Sequence, residues 1–329
     1  MKLQRLHIKN FKSIVDLEIV EPNPFTVFVG PNGSGKSNIF EALEWRFFSP
    51  NTTSSVPKRE DIYPNVFRFE VILNEKNNWG VPDVELYFTA FNVLTFSLRR
   101  ISVIQENEAG IPFPFEKQSE YKQFIEGFSN IFIENFKREK ISLGGERKLS
   151  KSASNLEKVL KRILLDETKR EEIKEWLDLF IPGFENIEIV SSELSGTDTL
   201  VMYEKGIKKP FTKDLLSDGT YNILALLTAV YQSDEPQFLC IEEPENGLHP
   251  KVIRELVHFF REACETKGHY IWLNTHSQTL VSELTPEEII LVNKKKGETV
   301  IKQLKNQNLH GLRMDEAWLT AALGGGLPW

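Results

Sequence analysis

The chain has 329 residues, 40% of them hydrophobic and 26% charged, with a net charge of −7. This is ordinary globular composition with enough length for a substantial core, and it excludes both a disordered chain and a polycation that coats nucleic acid. Two cysteines, Cys240 and Cys264, form neither a disulfide framework nor a zinc site, which points to a reducing, cytoplasmic setting. Met1-Lys2-Leu3-Gln4-Arg5 opens without a leader's apolar run. No stretch reaches the roughly 20 apolar residues that span a bilayer, so no membrane segment is expected.

In chain order, Leu3 to Ile8 and Val15 to Val20 alternate as two strands of an antiparallel hairpin, with a turn at Asn10 to Ser13. Phe25-Thr26-Val27-Phe28-Val29 has no polar face, as a buried strand of a parallel sheet requires. Ile39, Phe40, Leu43 and Phe47 then recur at helical spacing. Phe67 to Leu73, Val84 to Phe91 and Leu94 to Ile101 read as strands. Three helices are expected next: one carrying Tyr121, Phe124, Ile125, Phe128, Ile131, Phe132 and Phe136, one carrying Leu156, Val159, Leu160, Ile163 and Leu164, and one carrying Ile173, Trp176, Leu177 and Phe180. Short strands follow between Phe184 and Phe211. A helix through Ile223 to Val230, a buried strand Phe238 to Ile241, a helix Val252 to Cys264, and strands His269 to Leu273 and Glu288 to Val292 complete an α/β pattern.

Four features carry chemistry. Gly30-Pro31-Asn32-Gly33-Ser34-Gly35-Lys36-Ser37 matches G-x-x-x-x-G-K-[ST] between a buried strand and a helix. Backbone N–H groups there can surround phosphates, Lys36 can reach the terminal phosphates, and the Ser37 hydroxyl can ligate Mg²⁺. The strand ending in Glu242-Glu243 places two acids where ligands of parallel sheets bind. Glu242 is the candidate for supporting the metal and Glu243 for polarising the attacking water. Ser217 in Leu216-Ser217-Asp218-Gly219-Thr220 suits a helix N-cap, which with Gly219 offers a second anion site. His276, just past the next core strand, is placed to donate to a γ-phosphate.

The order of P-loop, Leu-Ser-Asp-Gly-Thr, acidic strand and His resembles ABC-type ATPases of the RecF, SMC and OLD-like branch. Leu6 to Ser13, Gly30 to Asn38 and Glu242 to Pro250 are the stretches similar to that branch. The resemblance implies an α/β ABC-type P-loop ATPase head: a mixed sheet, an antiparallel β subdomain and a helical lobe. It implies an ATP-binding lobe built from 1–110 and 216–300, an insertion lobe at 111–215 and a tail at 301–329. It further implies ATP and Mg²⁺, with Asn32 to Asn38 at the nucleotide and Asn10 and Lys12 near it. A head-to-tail homodimer would sandwich two ATP molecules, with Ser217 and Gly219 facing the partner's P-loop and Glu245 to His249 crossing the interface. Gln105 is a candidate for the family's glutamine loop by neighbourhood alone. Fewer than 40 residues follow Val292, so a nuclease effector is expected on a separate chain, as in compact OLD-like ATPases of phage defence. The alternative is a DNA-engaging ATPase of repair: residues 137–162 hold nine Lys or Arg against three Glu, a local +6, which attracts phosphate backbones without reading sequence.

Overall fold

The structure is a computed structural model that describes residues 3–48, 66–76, 82–91, 127–133, 147–191, 198–309 and 311–320. The chain divides into two compact units, one made of Met1–Phe128 with Leu284–Trp329 and the other of Ser129–Glu283.

The first unit opens on β1 (Leu3–Phe11) and β2 (Ile14–Val20), an antiparallel hairpin in which Phe11 faces Ile14 across a two-residue turn. Lys12 in that turn has φ 48°, the left-handed conformation that tight hairpins need. Strand β3 (Phe25–Val29) is buried throughout, as its unbroken apolar run requires, and leads through the glycine-rich loop into α1 (Lys36–Phe48). Strands β4 (Val66–Lys76) and β5 (Pro82–Phe91) extend the hairpin into a four-stranded antiparallel sheet of order β2-β1-β4-β5. The expected strand Leu94 to Ile101 lies outside the described residues.

In the second unit, Phe128–Phe132 is a strand, β6, that pairs beside the later acidic strand. This corrects the helix expected through Phe128, Ile131 and Phe132. Four of its five residues are buried, polar Ser129 and Asn130 among them, and Phe128, Ile131 and Phe132 alone also fit helical spacing, so a segment this short reads alike as helix or strand. Helices α2 (Leu156–Leu164) and α3 (Glu167–Phe180) stand where expected. The side chain of Asp166 caps α3 by accepting from Lys169 N at 3.2 Å. A three-stranded antiparallel sheet follows: β7 (Phe184–Ser191), β8 (Asp198–Glu204) and β9 (Phe211–Thr212).

Helix α4 (Asp218–Tyr231) is buried on nearly every side, so it is a core helix rather than an amphipathic one. Strand β10 (Phe238–Glu242), helix α5 (Pro250–Lys267) and strand β11 (Tyr270–Thr275) then form a β-α-β unit whose parallel strands pair Glu242 with Asn274. Gly268 ends α5 in the left-handed conformation (φ 67°). Trp176, Phe180, Tyr231 and Phe259 pack together between α3, α4 and α5, with ring centroids 4.9–6.3 Å apart. A one-turn helix, α6 (Gln278–Val281), follows β11.

The chain then re-enters the first unit. Strand β12 (Ile289–Lys295) runs parallel to β3 and antiparallel to β13 (Glu298–Gln303), and α7 (Met314–Leu319) follows. Strand β13 is not anticipated from the sequence, and it carries residues 301–303 of the expected tail into a sheet. Its turn, Lys296-Gly297, has φ 49° and 83°, the two positive values of a tight hairpin.

Candidate functional site

In the first unit the glycine-rich loop follows Val29 at the end of β3. Gly30 lies so near the carbonyl oxygen of Val292 that a Cβ there meets backbone, and a Cβ at Gly35 (φ 101°) meets the hydroxyl of Thr299. Only glycine lets the loop close this tightly. Gly33 (φ 75°) faces open space. Lys36 is 6% exposed, and its ammonium donates to the carbonyls of Gly30 at 2.7 Å and Pro31 at 3.1 Å, which folds the side chain back over the loop. The Ser34 hydroxyl is buried with no hydrogen-bond partner among the described residues. A buried orphan hydroxyl, a backbone ring opening onto a helix N-terminus and a retained ammonium fit an anion. Among the described residues no cluster of three His, Cys, Asp or Glu is able to hold a metal. Mg²⁺ beside nucleotides usually keeps waters and takes phosphate oxygens besides one or two protein ligands.

In the second unit the acidic pair and the histidine meet. His276 Nδ1 lies 3.2 Å from Glu243 Oε1. A carboxylate only accepts, so Nδ1 is the donor in any hydrogen bond between them. Asn246 Nδ2 donates to Glu243 Oε2 at 3.2 Å. Glu243 itself has φ 45°, an uncommon conformation for a residue with a Cβ. Its N–H donates to both the carbonyl and the side-chain oxygen of Asn274, at 3.0 and 3.1 Å. The other end of the same amide, Asn274 Nδ2, donates to Glu242 Oε2 at 3.1 Å. Asn274 is 1% exposed and orients both acids at once. Sequence reasoning missed it, although an amide opposite Glu242 and two residues before His276 was a usable signal.

Ser217 caps α4 as expected, accepting from Thr220 N at 3.1 Å. Gly219 sits against the carbonyl of Gly247, where a Cβ has no room. Asn222 Nδ2, one turn along α4, donates to the carbonyls of Pro244 and Asn246, both at 2.9 Å. The loop after the acidic strand is thus strapped to the start of α4. Thr275 donates to Glu245 and also accepts from Ser277 N at 2.9 Å. Burial, the main cause, pushes the Glu245 carboxyl above its ordinary value, and its Oε2 has no hydrogen-bond partner among the described residues. His249 caps α5, accepting from Lys251 N at 3.2 Å.

Several expected contributors stand differently. The Lys12 ammonium forms an ion pair with Glu41 on α1, so a nucleotide contact competes with that pair. Asn10 lies in β1. Gln105 and residues 137–146 of the basic stretch lie outside the described residues. Within the rest of that stretch, Lys161 pairs with Asp198 at 2.8 Å, and Arg162 donates to the carbonyls of Arg147 and Gln232. Lys205 pairs with Asp178 and Lys213 with Glu157. Lys161, Arg162, Lys205 and Lys213 are thus engaged by groups of the same unit. No helix among the described residues is long and apolar enough to cross a membrane.

The family model described as "AAA domain, putative AbiEii toxin, Type IV TA system" matches residues 25–282. The chromosome partition protein Smc of Methanocaldococcus jannaschii is 39% identical over 95 residues, 28% of this chain and 8% of that protein. The energy-coupling factor transporter ATP-binding protein EcfA1 of Methanospirillum hungatei is 39% identical over 59 residues, 18% of this chain and 21% of that protein. The chain spans less than a tenth of the length of the Smc relatives. Among solved structures, the SMC head domain from Thermotoga maritima aligns with TM-score 0.51 and 15% identity over 92% of this chain and 99% of that one. An Smc head bound to the C-winged helix domain of ScpA aligns with TM-score 0.57 and 14% identity over 93% and 98%. At that identity the likeness is one of fold. With the family model covering residues 25–282, the chain belongs to this AAA-domain family, and its fold is that of an SMC head.

Proposed function

We propose that this protein hydrolyses ATP as a switch: it dimerises around the nucleotide, and the nucleotide state governs a separately encoded effector, such as a nuclease, in phage defence. The observation that carries the hydrolytic part is the pairing of Glu243 with His276 at the end of β10. In this reading the N–H groups of residues 32–37 and the Lys36 ammonium hold the phosphates. Ser37 and Glu242 hold Mg²⁺, which neutralises phosphate charge when bound. Glu243 accepts the proton of the attacking water, and His276 and Asn246 fix the orientation of its carboxylate. Ser217 and Gly219 address the nucleotide of a second subunit. Residues 1–110 and 216–300 form the ATP-binding lobe and 111–215 an insertion lobe.

The effector part has two supports. The family description names a putative toxin of a Type IV TA system, and a head of this fold is bound to a separate protein, ScpA, in a solved structure. The alternative, a DNA-engaging repair ATPase, is favoured by the chromosome-partition role named for the Smc relatives, but the internal pairing of Lys161 and Arg162 weakens it.

The test is the Glu243→Gln variant. Its ATP turnover is expected to fall by about 10²-fold or more, while light scattering detects a dimer trapped with ATP. Normal turnover in the variant removes Glu243 from its role, and a monomer under all nucleotide conditions removes the switch. Stimulation of turnover by duplex DNA, lost at high salt, would transfer support to the alternative.

A further inference from the structure

The back of the P-loop is held by two hydroxyls from elements that the motif does not include. Ser13 lies in the β1–β2 turn, and Thr299, which is 2% exposed, lies in β13. Their hydrogen bonds run in one direction. Thr299 Oγ1 is 3.1 Å from the carbonyl oxygen of Ser34; a carbonyl cannot donate, so the Thr299 proton goes there. Ser13 Oγ, 2.6 Å from Thr299 Oγ1, must then donate to it. The Ser13 oxygen in turn accepts from Asn38 Nδ2 at 2.6 Å. The chain Asn38 to Ser13 to Thr299 to Ser34 therefore joins the first turn of α1 to the loop peptide just before Gly35. A backbone bond from Thr299 N to the Ser13 carbonyl at 2.8 Å fixes the two hydroxyls against each other. Gly35 makes room for this arrangement, since any Cβ there meets the Thr299 hydroxyl.

We infer that Ser13 and Thr299 are positioning residues for nucleotide binding. They hold the Ser34–Gly35–Lys36 backbone in its anion-binding shape before the anion arrives. Preorganisation of this kind improves affinity because the ordering cost is not met at the moment of binding. The loop is otherwise rich in glycine, and its φ values of 75° and 101° at Gly33 and Gly35 are ones that an unsupported chain samples among many others. The inference rests on the reading of this loop as an ATP site.

The experiment titrates a non-hydrolysable ATP analogue into the full chain by calorimetry and measures kcat and KM for ATP. Thr299→Val keeps the shape and removes the donor, and binding is expected to weaken about 10-fold, with KM rising in step and kcat changing much less. Thr299→Ser restores the donor and is expected to bind within about 2-fold of the parent. Ser13→Ala weakens binding in the same direction, and its combination with Thr299→Val adds little, because both interrupt one chain. Should Thr299→Val fail to fold, Ser13→Ala at the half-buried turn carries the test. A variant that melts lower yet binds the analogue like the parent marks a merely structural role and overturns the inference, as does a Thr299→Ser variant that binds as poorly as Thr299→Val. A parent that binds no nucleotide overturns the ATP-site reading itself; a parent that binds beside unaffected Thr299→Val and Ser13→Ala variants overturns only this inference.

Discussion

Replacing Gly219 by alanine puts a Cβ well inside 3 Å of the Gly247 carbonyl oxygen, whereas ordinary contact begins at 3.4 Å. The obstacle is backbone, so no side-chain rotation relieves it, and the loop from Pro244 to Leu248 has to retreat from α4 by about 1 Å. The two bonds from Asn222 Nδ2, now 2.9 Å long, then stretch to about 3.9 Å, beyond hydrogen-bond reach. Two lost bonds at about 1 kcal/mol each, with residual crowding of similar size, total about 2–3 kcal/mol. For a chain of 329 residues that corresponds to a melting point lower by about 3–4 °C. The same shift moves Asn246 away from Glu243, so hydrolysis is expected to fall while nucleotide binding by the P-loop persists. Thermal melts, analogue titration and phosphate release measure the three effects separately. A double-mutant cycle with Asn222→Ala sharpens the test. The alanine at 222 deletes the bonds that the alanine at 219 stretches, so the two effects should overlap rather than add. A Gly219→Ala protein melting within about 1 °C of the parent, or strict additivity in the cycle, refutes the strap between α4 and this loop.

Three further outcomes are expected. Asn274→Ala removes the amide that bridges Glu242 and the Glu243 backbone; a stability loss of about 2–3 kcal/mol should accompany a larger fall in kcat than in ATP affinity, and equal falls would count against its orienting role. Lys36→Ala deletes the ammonium of the loop and should weaken ATP binding by about 10-fold or more in a calorimetric titration. Glu245→Gln tests pH dependence. Burial raises the Glu245 carboxyl above its ordinary value, so the stability linked to it is full where the carboxyl is protonated and is lost as pH climbs through the raised value. His269, buried and pushed below its ordinary value mainly by desolvation, works in the opposite direction and loses stability towards acid. Comparing parent and variant cancels the histidine, so the melting-point difference should move in favour of Glu245→Gln as pH rises from the ordinary carboxyl range through the raised value. A difference that stays flat across that range rejects the ionised buried carboxylate.

Periodicity and local chemistry carried much of this molecule. A buried apolar strand, a glycine-rich loop and a helix can be read from Phe25 to Phe47 because each is a local preference of backbone and side chain. The Ser217 cap and the acidic end of β10 are legible for the same reason. Reading failed where local and long-range demands coincide. The run Phe128 to Phe132 fits either period, and only its place beside β10 decides that it is a strand. Strand β13 was missed although Lys296-Gly297 is a usable hairpin turn, and with it went Thr299.

The residues found only in the tertiary structure share one property. Asn274, Asn222, Ser13 and Thr299 are ordinary polar residues whose importance lies in what stands opposite them. A hydrogen bond is specific to distance and angle, and those are set by strand register and by the close approach of Gly35 to the Thr299 hydroxyl and of Gly219 to the Gly247 carbonyl. The sequence by itself determined which groups are able to touch phosphate and water, because a motif is a list of residue types at fixed spacing. Only the fold decided what holds those groups still, because the holding partners lie up to 265 residues away along the chain.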